Sequence, residues 1–240
     1  MRARQRHLNP RDAGAYAAFD SRFGFALSDG DAISTWEDRT NNNKDATNTG
    51  SVRPIYKTGI MAGNPVVRFE SSASDFLAVD TITASKVSLF AVLSSTQTGP
   101  NHICIQWGTS TTANNNQFHL WIVSSKYGCF YRDNTNTDKG LTAANNKTNN
   151  PTVLSTVFDS TARFFENGVA GTTQSTSGTL NQSSAKIGLG SRVGTSGAAA
   201  EPLYFNGDMA QMVIVGSAID APLRRRLEQS AGYSFKIACS

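Results

Sequence analysis

The segment Tyr204–Ser217, YFNGDMAQMVIVGS, decides the fold of this chain. A Gly-Asp pair leads into a run of apolar and small residues, Met209–Val215, which is interrupted only by Gln211. The run is too short for a core helix and it ends in β-branched residues, so it predicts a central strand. A long strand near the end of a chain rich in short apolar segments indicates an all-β architecture.

A short helix is predicted directly after this strand. Asp220 is suited to cap its first turn, and Pro222 lies where a missing N–H does no harm. Leu223 and Leu227 follow at i, i+4 spacing, and Gly232 is the expected end of the helix. The side expected to face solvent carries four charged residues: Arg224, Arg225, Arg226 and Glu228.

The rest of the chain predicts strands separated by turns. Only 17% of the 240 residues are charged, and the polar residues are chiefly Asn, Thr, Ser and Gly, which favour turns and strands over helices. Val87–Ser94 is almost continuously apolar, and Asn167-Gly168 is a tight-turn signal. About a dozen such segments predict a two-sheet sandwich or jelly roll. We expect one domain over residues 16–240, after a flexible basic arm at residues 1–15.

Charge and hydropathy exclude several classes of partner. The net charge of +4 is concentrated in residues 1–7 and at Arg224–Arg226, and neither cluster has stacking aromatic residues nearby. Nucleic acid is therefore not the expected partner. The first thirty residues have no apolar core of a signal peptide, and no apolar run approaches the roughly 20 residues of a membrane span. The localisation stays open.

The three cysteines, Cys104, Cys129 and Cys239, have no zinc-ligand spacing. A Cys104–Cys129 bridge between neighbouring strands and free, partly buried thiols are both compatible with the sequence, and free thiols are favoured.

Three blocks, in order, resemble the concanavalin A-like lectin/glucanase superfamily in its laminin-G-like jelly-roll branch. The first comprises DGDAISTWEDRTNNNKDAT (residues 29–47) and RPIYKTGIMAGNPVVRFE (53–70), and the second is FFENGV (164–169). The third comprises KIGLG (186–190) and residues 204–237. The resemblance implies two antiparallel sheets packed face to face, with ligand sites on the concave face or in rim loops. Its members include lectins, glycoside hydrolases and particle-surface proteins, so the fold does not fix the function.

The catalytic signature of that superfamily is missing. Its hydrolases carry a Glu-x-Asp-x-x-Glu strand, because two carboxylates must flank the bond that is cleaved, about 5–5.5 Å apart when the configuration is retained. The nearest acidic groups, Glu37-Asp38 and Glu70 with Asp75, lie beside turns and lack that alternation. His7, His102 and His119 have no nucleophile context. We expect no enzymatic activity.

The resemblance also implies calcium in many relatives, through an acidic pair in the closing strand. Ala210 and Gln211 occupy the matching positions, and Asp208 is interpreted as a turn residue. We therefore expect no cofactor, with calcium kept as the alternative.

A sugar site is predicted on aromatic and polar residues. Pyranose rings stack on aromatic faces and bond to amide, carboxylate and guanidinium groups. His119 and Trp121 share strand parity and should point to the same side, although Trp121 could instead belong to the core. Loops 114–117 and 134–150 are alternative sites. The predicted site residues are Trp107, His119, Trp121, Tyr127, Tyr131, Arg132 and Asp133.

The leading hypothesis is a non-catalytic, lectin-like module whose partner is a glycan. The alternative is a structural or adhesive protein of a viral or phage particle, such as a capsid decoration or tail component. Such a protein would bind a cell-surface or particle protein and could form a homo-oligomer.

Overall fold

The computed structural model describes residues 13–97, 102–108, 116–135, 137–180, 185–201 and 203–240; side chains are not described at 116, 117, 200 and 201. It is a sandwich of two antiparallel sheets with a C-terminal helix, which confirms the predicted fold class. In chain order the strands are β1 (Ala15–Asp20), β2 (Thr35–Trp36), β3 (Ala46–Thr47), β4 (Ile55–Met61), β5 (Asn64–Phe69), β6 (Leu77–Val79), β7 (Val87–Ser95), β8 (His102–Gly108), β9 (Asn116–Val123), β10 (Lys126–Arg132), β11 (Asp138–Thr142), β12 (Thr152–Phe158), β13 (Thr161–Glu166), β14 (Val169–Ser175), β15 (Ile187–Leu189), β16 (Arg192–Val193), β17 (Ala199–Glu201) and β18 (Gly207–Val215). The helix is α1 (Ala221–Phe235).

The two sheets have different strand orders. Sheet A runs β14-β13-β12-β7-β18-β5-β4, with β1 paired to the end of β18. Sheet B runs β11-β10-β9-β8-β15-β6-β3-β2. The hairpin of β16 and β17 forms a separate two-stranded sheet.

The predicted central strand is confirmed as β18. It pairs with β7 along its length, and its other edge is divided between β5 and β1. Met209 lies opposite Val67 of β5, and Val213 lies opposite Ala18 of β1. β18 therefore joins three segments that are far apart in sequence: β1, β5 and β7.

A single large core fills the space between the sheets. Phe19 of sheet A and Trp36 of sheet B are both fully buried, with ring centroids 5.6 Å apart. At the other side of the sandwich, Tyr131 of sheet B contacts Phe158 of sheet A edge-on at 4.7 Å. These aromatic contacts fix the separation of the two sheets because buried rings fill the space without gaps.

The helix begins as predicted and ends later than predicted. Asp220 Oδ1 accepts a hydrogen bond from Leu223 N at 2.8 Å, which confirms the cap. Gly232 does not end the helix; Lys236 does, in a left-handed conformation with φ 56°. A Cβ at Gly232 would lie 2.6 Å from the Ile237 carbonyl oxygen, so this glycine allows the returning chain to approach. Within the described residues, no helix combines the length and apolar character needed to cross a membrane.

The prediction that Arg224 and Glu228 face solvent is wrong. Both side chains are buried against sheet A, where Arg224 Nη1 donates to both carboxylate oxygens of Glu228. Ser155 of β12 donates to the same carboxylate, and the Arg224 guanidinium lies 3.6 Å from the ring centroid of Phe165. Arg225 and Arg226 are exposed, as predicted. The buried ion pair therefore fastens α1 to β12 and β13.

We expect Glu228→Ala to lower the free energy of unfolding by about 3–5 kcal/mol, because it leaves the Arg224 charge buried without its partner. Urea denaturation measures this. Exposed Arg225→Ala is the control and should change stability by less than about 0.5 kcal/mol. The double variant Arg224→Met/Glu228→Leu should recover most of the loss. A cost below about 1 kcal/mol for Glu228→Ala would contradict a buried pair that is desolvated.

Cys104 and Cys129 are free, buried thiols in the described structure. They lie on β8 and β10, which β9 separates, so they are not on neighbouring strands. Burial raises the pKa of Cys129 to about 12, which keeps its thiol protonated and unreactive.

Candidate functional site

The structure divides the predicted aromatic site between two sides of sheet B. Trp107, Tyr127 and Tyr131 point inward and are at most 3% exposed. The Trp107 indole N–H lies 3.1 Å from both Thr81 Oγ1 and the Ala185 carbonyl oxygen. These three rings belong to the core and do not line an open face.

His119 and Trp121 lie together on the outer face of sheet B, and the prediction that they share one side is confirmed. Their ring centroids are 4.7 Å apart in an edge contact. Phe130, opposite His119 on β10, stacks on the imidazole at 4.7 Å and an interplanar angle of 8°. Phe130 was not among the predicted site residues, although alternation along β10 places its side chain on the opposite face of the sheet from that of Tyr131. We call His119, Trp121 and Phe130 the aromatic patch.

The nitrogens of the aromatic patch have no protein partners. His119 is 3% exposed, and neither of its ring nitrogens is hydrogen-bonded; the buried Trp121 Nε1 is also unpaired. Burial, and next the charge of Arg192, lower the pKa of His119 to about 3. The imidazole is therefore neutral, while Trp121 and Phe130 remain half-buried at the surface.

We expect the NMR signals of the His119 ring to stay unchanged between pH 8 and pH 5, because the folded protein holds the imidazole neutral. A histidine in the unfolded chain titrates near pH 6.5, so acid unfolding should coincide with its protonation. His119→Phe removes this group and should reduce the loss of stability between about pH 6.5 and pH 4. A normal titration of His119 in the folded protein would contradict its burial.

Arg132 and Asp133 have structural partners. Arg132 is buried and forms an ion pair with Asp138. Asp133 Oδ1 accepts hydrogen bonds from Thr135 and Thr137, and its other oxygen accepts one from Ser177 N at 3.2 Å. Burial opposes ionisation of Asp133, but these donors outweigh it and lower its pKa. The carboxylate therefore organises a turn.

An open recess lies on the opposite side of the molecule, on the outer face of sheet A. Ser94, Asp208 and Arg68 lie directly opposite one another on β7, β18 and β5. Phe235 of α1 packs with Val66 and Val92, so the helix covers that part of the same face. The uncovered row forms the floor of an open cleft of about 520 Å³, which we call the polar cleft. Its polar side chains are Arg68, Glu70, Ser72, Ser94, Ser95, Thr96, Asn149, Asn206 and Asp208.

An ion pair forms the floor of the polar cleft. Arg68 Nε donates to Asp208 Oδ1 at 2.7 Å, and Nη2 donates to Oδ2 at 3.0 Å. The interpretation of Asp208 as a turn residue is therefore wrong: it lies in β18 and is 8% exposed. The hydrogen bond to Asp208 raises the pKa of Arg68. At Gly207, a Cβ would lie 2.2 Å from the Ser94 carbonyl oxygen, so glycine permits the close pairing of β18 with β7 there.

Asn206 and Asn149 form the walls of the polar cleft. The backbone N–H of Asn206 donates to Gln97 Oε1 at 2.7 Å, and its side-chain Oδ1 accepts from Ser71 N at 3.3 Å. Asn149 is exposed at the end of the predicted candidate loop 134–150. The amide groups thus keep donors available toward the cleft. The other candidate loop, 114–117, lies outside the residues whose side chains the structure describes.

No three His, Cys, Asp or Glu side chains come together as metal ligands in the described ranges. Calcium therefore stays an untested alternative.

Asp75 supports the 3₁₀ turn at Ser71–Ala73, next to the polar cleft. Its Oδ2 accepts a hydrogen bond from Glu70 N at 2.9 Å, and the residue is 3% exposed. Burial, with a smaller contribution from the charge of Glu70, raises the pKa of Asp75 to about 6. The folded state therefore favours the protonated acid.

We expect Asp75 to make stability decrease as pH rises. Between about pH 4 and pH 6 the native state binds this proton and the unfolded chain does not, so its contribution is complete below pH 4 and lost above pH 6. Asp75→Asn keeps the acceptor for Glu70 N. Its advantage over wild type in the free energy of unfolding should grow by about 2–3 kcal/mol from pH 4 to pH 7. Parallel urea titrations with equal pH slopes would contradict the raised pKa.

Comparisons with known proteins support the fold without assigning a family. No family model matches the sequence, and no curated protein matches it. Among solved structures, the chain is similar to the binding domain of Paraclostridial Mosquitocidal Protein 1, with a TM-score of 0.62 and 10% sequence identity. The match covers 92% of this chain and 52% of that chain. It is also similar to domain 4 of AbnA, a GH43 extracellular arabinanase from Geobacillus stearothermophilus, whose structure is a complex with arabinotriose. The TM-score is 0.62 and the sequence identity 13%, and the match covers 90% of this chain and 98% of that chain.

A third similar structure is the botulinum neurotoxin serotype D ligand binding domain in complex with N-acetylneuraminic acid, with a TM-score of 0.57 and 11% sequence identity. The match covers 93% of this chain and 50% of that chain. The chain spans about half the length of both toxin domains. At these identities the likeness shows the fold alone: this chain has the β-sandwich architecture of such binding domains.

Proposed function

We propose that this chain is a non-catalytic carbohydrate-binding module of the concanavalin A-like superfamily and that it holds its sugar in the polar cleft. The observation that carries this proposal is the cleft itself. Its volume of about 520 Å³ falls within the range of small-ligand sites. Its floor consists of paired strands, which hold the polar side chains rigidly and lower the entropic cost of binding.

The chemistry of the lining suits hydroxyl groups. A sugar hydroxyl both donates and accepts, and the cleft offers carboxylate acceptors, amide and guanidinium donors, and the hydroxyls of Ser72, Ser94 and Thr96. The fold likeness supports the same ligand class, since the similar AbnA domain was solved with arabinotriose and the neurotoxin domain with N-acetylneuraminic acid.

The carboxylates of the polar cleft support binding without catalysis. Glycoside hydrolysis needs one carboxyl group as an acid and a second as nucleophile or base. Both oxygens of Asp208 accept hydrogen bonds from Arg68, so neither oxygen is placed to give a proton to a leaving group. Glu70 is the other carboxylate in the described lining.

We expect Ser94→Trp to abolish sugar binding, because the indole would fill the floor of the polar cleft. Asn149→Ala should weaken binding several-fold by removing one hydrogen-bonding wall. Isothermal calorimetry with arabinotriose, lactose and sialyllactose, preceded by a glycan array, provides the measurement. Ser160→Trp is the matched control, because Ser160 is exposed and lies away from the cleft. It is two residues beyond Phe158, which pairs with Val87 at the end of β7 opposite to Ser94.

Trp121→Ala separates the two candidate sites. Binding that survives Trp121→Ala and is lost in Ser94→Trp supports the polar cleft, whereas the reverse result would move the site to the aromatic patch. Folded protein that binds nothing across the glycan array would overturn the proposed function. The particle protein predicted as an alternative draws no support from the cleft and stays a prediction.

A further inference from the structure

The charged side chains of the polar cleft are unequal in number. In its described lining, Arg68 is the one positive side chain, and Glu70 and Asp208 are both negative. The Arg68 guanidinium is already engaged by both oxygens of Asp208. The next cation, Lys147, lies beside the cleft and donates to the Ser95 carbonyl oxygen at 2.7 Å. The described lining therefore has more carboxylates than cations, and its one cation is already paired with Asp208.

We propose that the polar cleft selects an uncharged saccharide and rejects sialic acid and other carboxylated sugars; this inference rests on the proposed function. A carboxylated ligand would have to displace Asp208 from Arg68, or reach the remaining Nη1 of Arg68 while lying close to the carboxylates of Glu70 and Asp208. Both routes are unfavourable, because like charges repel and an ion pair that is broken in a half-buried site loses its compensation. Rejection thus comes from groups fixed before the ligand arrives.

An uncharged sugar meets no such barrier. The Arg68–Asp208 pair uses Nε and Nη2 of the guanidinium, and no described partner engages Nη1. Two adjacent hydroxyls can therefore bind the pair together: one accepts from Arg68 Nη1 and the other donates to a free lone pair of Asp208. The ion pair stays intact and orients the diol.

Hydrogen bonding rather than ring stacking would provide the recognition. Phe69 is the one aromatic residue in the described lining, and it is fully buried, with its ring 6.3 Å from that of Phe205 in the core. A site without an exposed ring depends on the number and direction of its polar groups. A ligand rich in hydroxyls and free of charge matches that requirement.

The test is calorimetry of the full chain at pH 7 with matched uncharged and acidic sugars: lactose and sialyllactose, digalactose and digalacturonate, and arabinotriose. We expect the ligands that bind to come from the uncharged members, and lactose or digalactose to bind at least tenfold more tightly than its acidic counterpart. Asp208→Asn frees the Arg68 guanidinium and should improve the affinity for the acidic member at least tenfold. Glu70→Lys should act in the same direction, with Glu70→Gln as the smaller, matched change at an exposed position.

The outcomes separate this inference from the proposed function. Sialyllactose that binds wild type as tightly as lactose, and is lost in Ser94→Trp, would overturn the selectivity while leaving carbohydrate binding intact. The selectivity would also be overturned if neither Asp208→Asn nor Glu70→Lys changed the affinity of the protein for the acidic sugars. Failure of every sugar to bind the folded wild type would overturn both.

Discussion

The antiparallel pairing of β18 with three other strands is the constraint on which the rest of the structure depends. Its edge toward β7 is used along the whole strand, while its other edge holds β5 at the start and β1 at the end. Because side chains alternate across a strand, its inward residues, Met212 and Ile214, fill the core. Its outward residues change along the strand, from Asp208 in the polar cleft to Val213 beneath the helix.

The helix and the polar cleft are two consequences of that outward face. α1 is fastened by its cap at Asp220 and by the buried Arg224–Glu228 pair, and its C-terminal end stops over Val66 and Val92. The next cross-strand row is left open. The helix thus determines where the recess begins, and the ends of β5, β7 and β18 determine which side chains it contains.

Local patterns predicted the elements of this fold, and long-range contacts hid much of its chemistry. The apolar run of β18 and the Asp220 cap depend on neighbours in sequence, which is why both were predictable. Arg68 and Asp208 are 140 positions apart, and no spacing rule connects them. Arg224 and Glu228 do have a recognisable i, i+4 spacing, but the same spacing is typical of exposed helix pairs. Only the position of Ser155 and Phe165 shows that the pair is buried.

Strand parity has the same limitation at the predicted sugar site. Alternation correctly grouped His119 with Trp121, but it could not say which side of the sheet faces the core. Tyr127 and Tyr131 share a parity on β10 and both point inward, which leaves Phe130 as the outward ring. The opposite sheet determines which face of each strand points toward the core, and residues near in sequence do not carry that information.

The proposed role in sugar binding accounts for the Arg68–Asp208 pair, which stability alone does not. Ion pairs at partly buried positions recover little more than the cost of removing their charges from water, and apolar residues of similar volume often stabilise a fold as well or better. The neighbouring positions on the same face, Val66 and Val92, are apolar and packed against Phe235. A charged pair directly beyond them interrupts that apolar surface at the point where the helix ends. Packing does not require an oriented donor and acceptor beside an open recess of about 520 Å³, whereas the proposed binding of a hydroxylated ligand would use both.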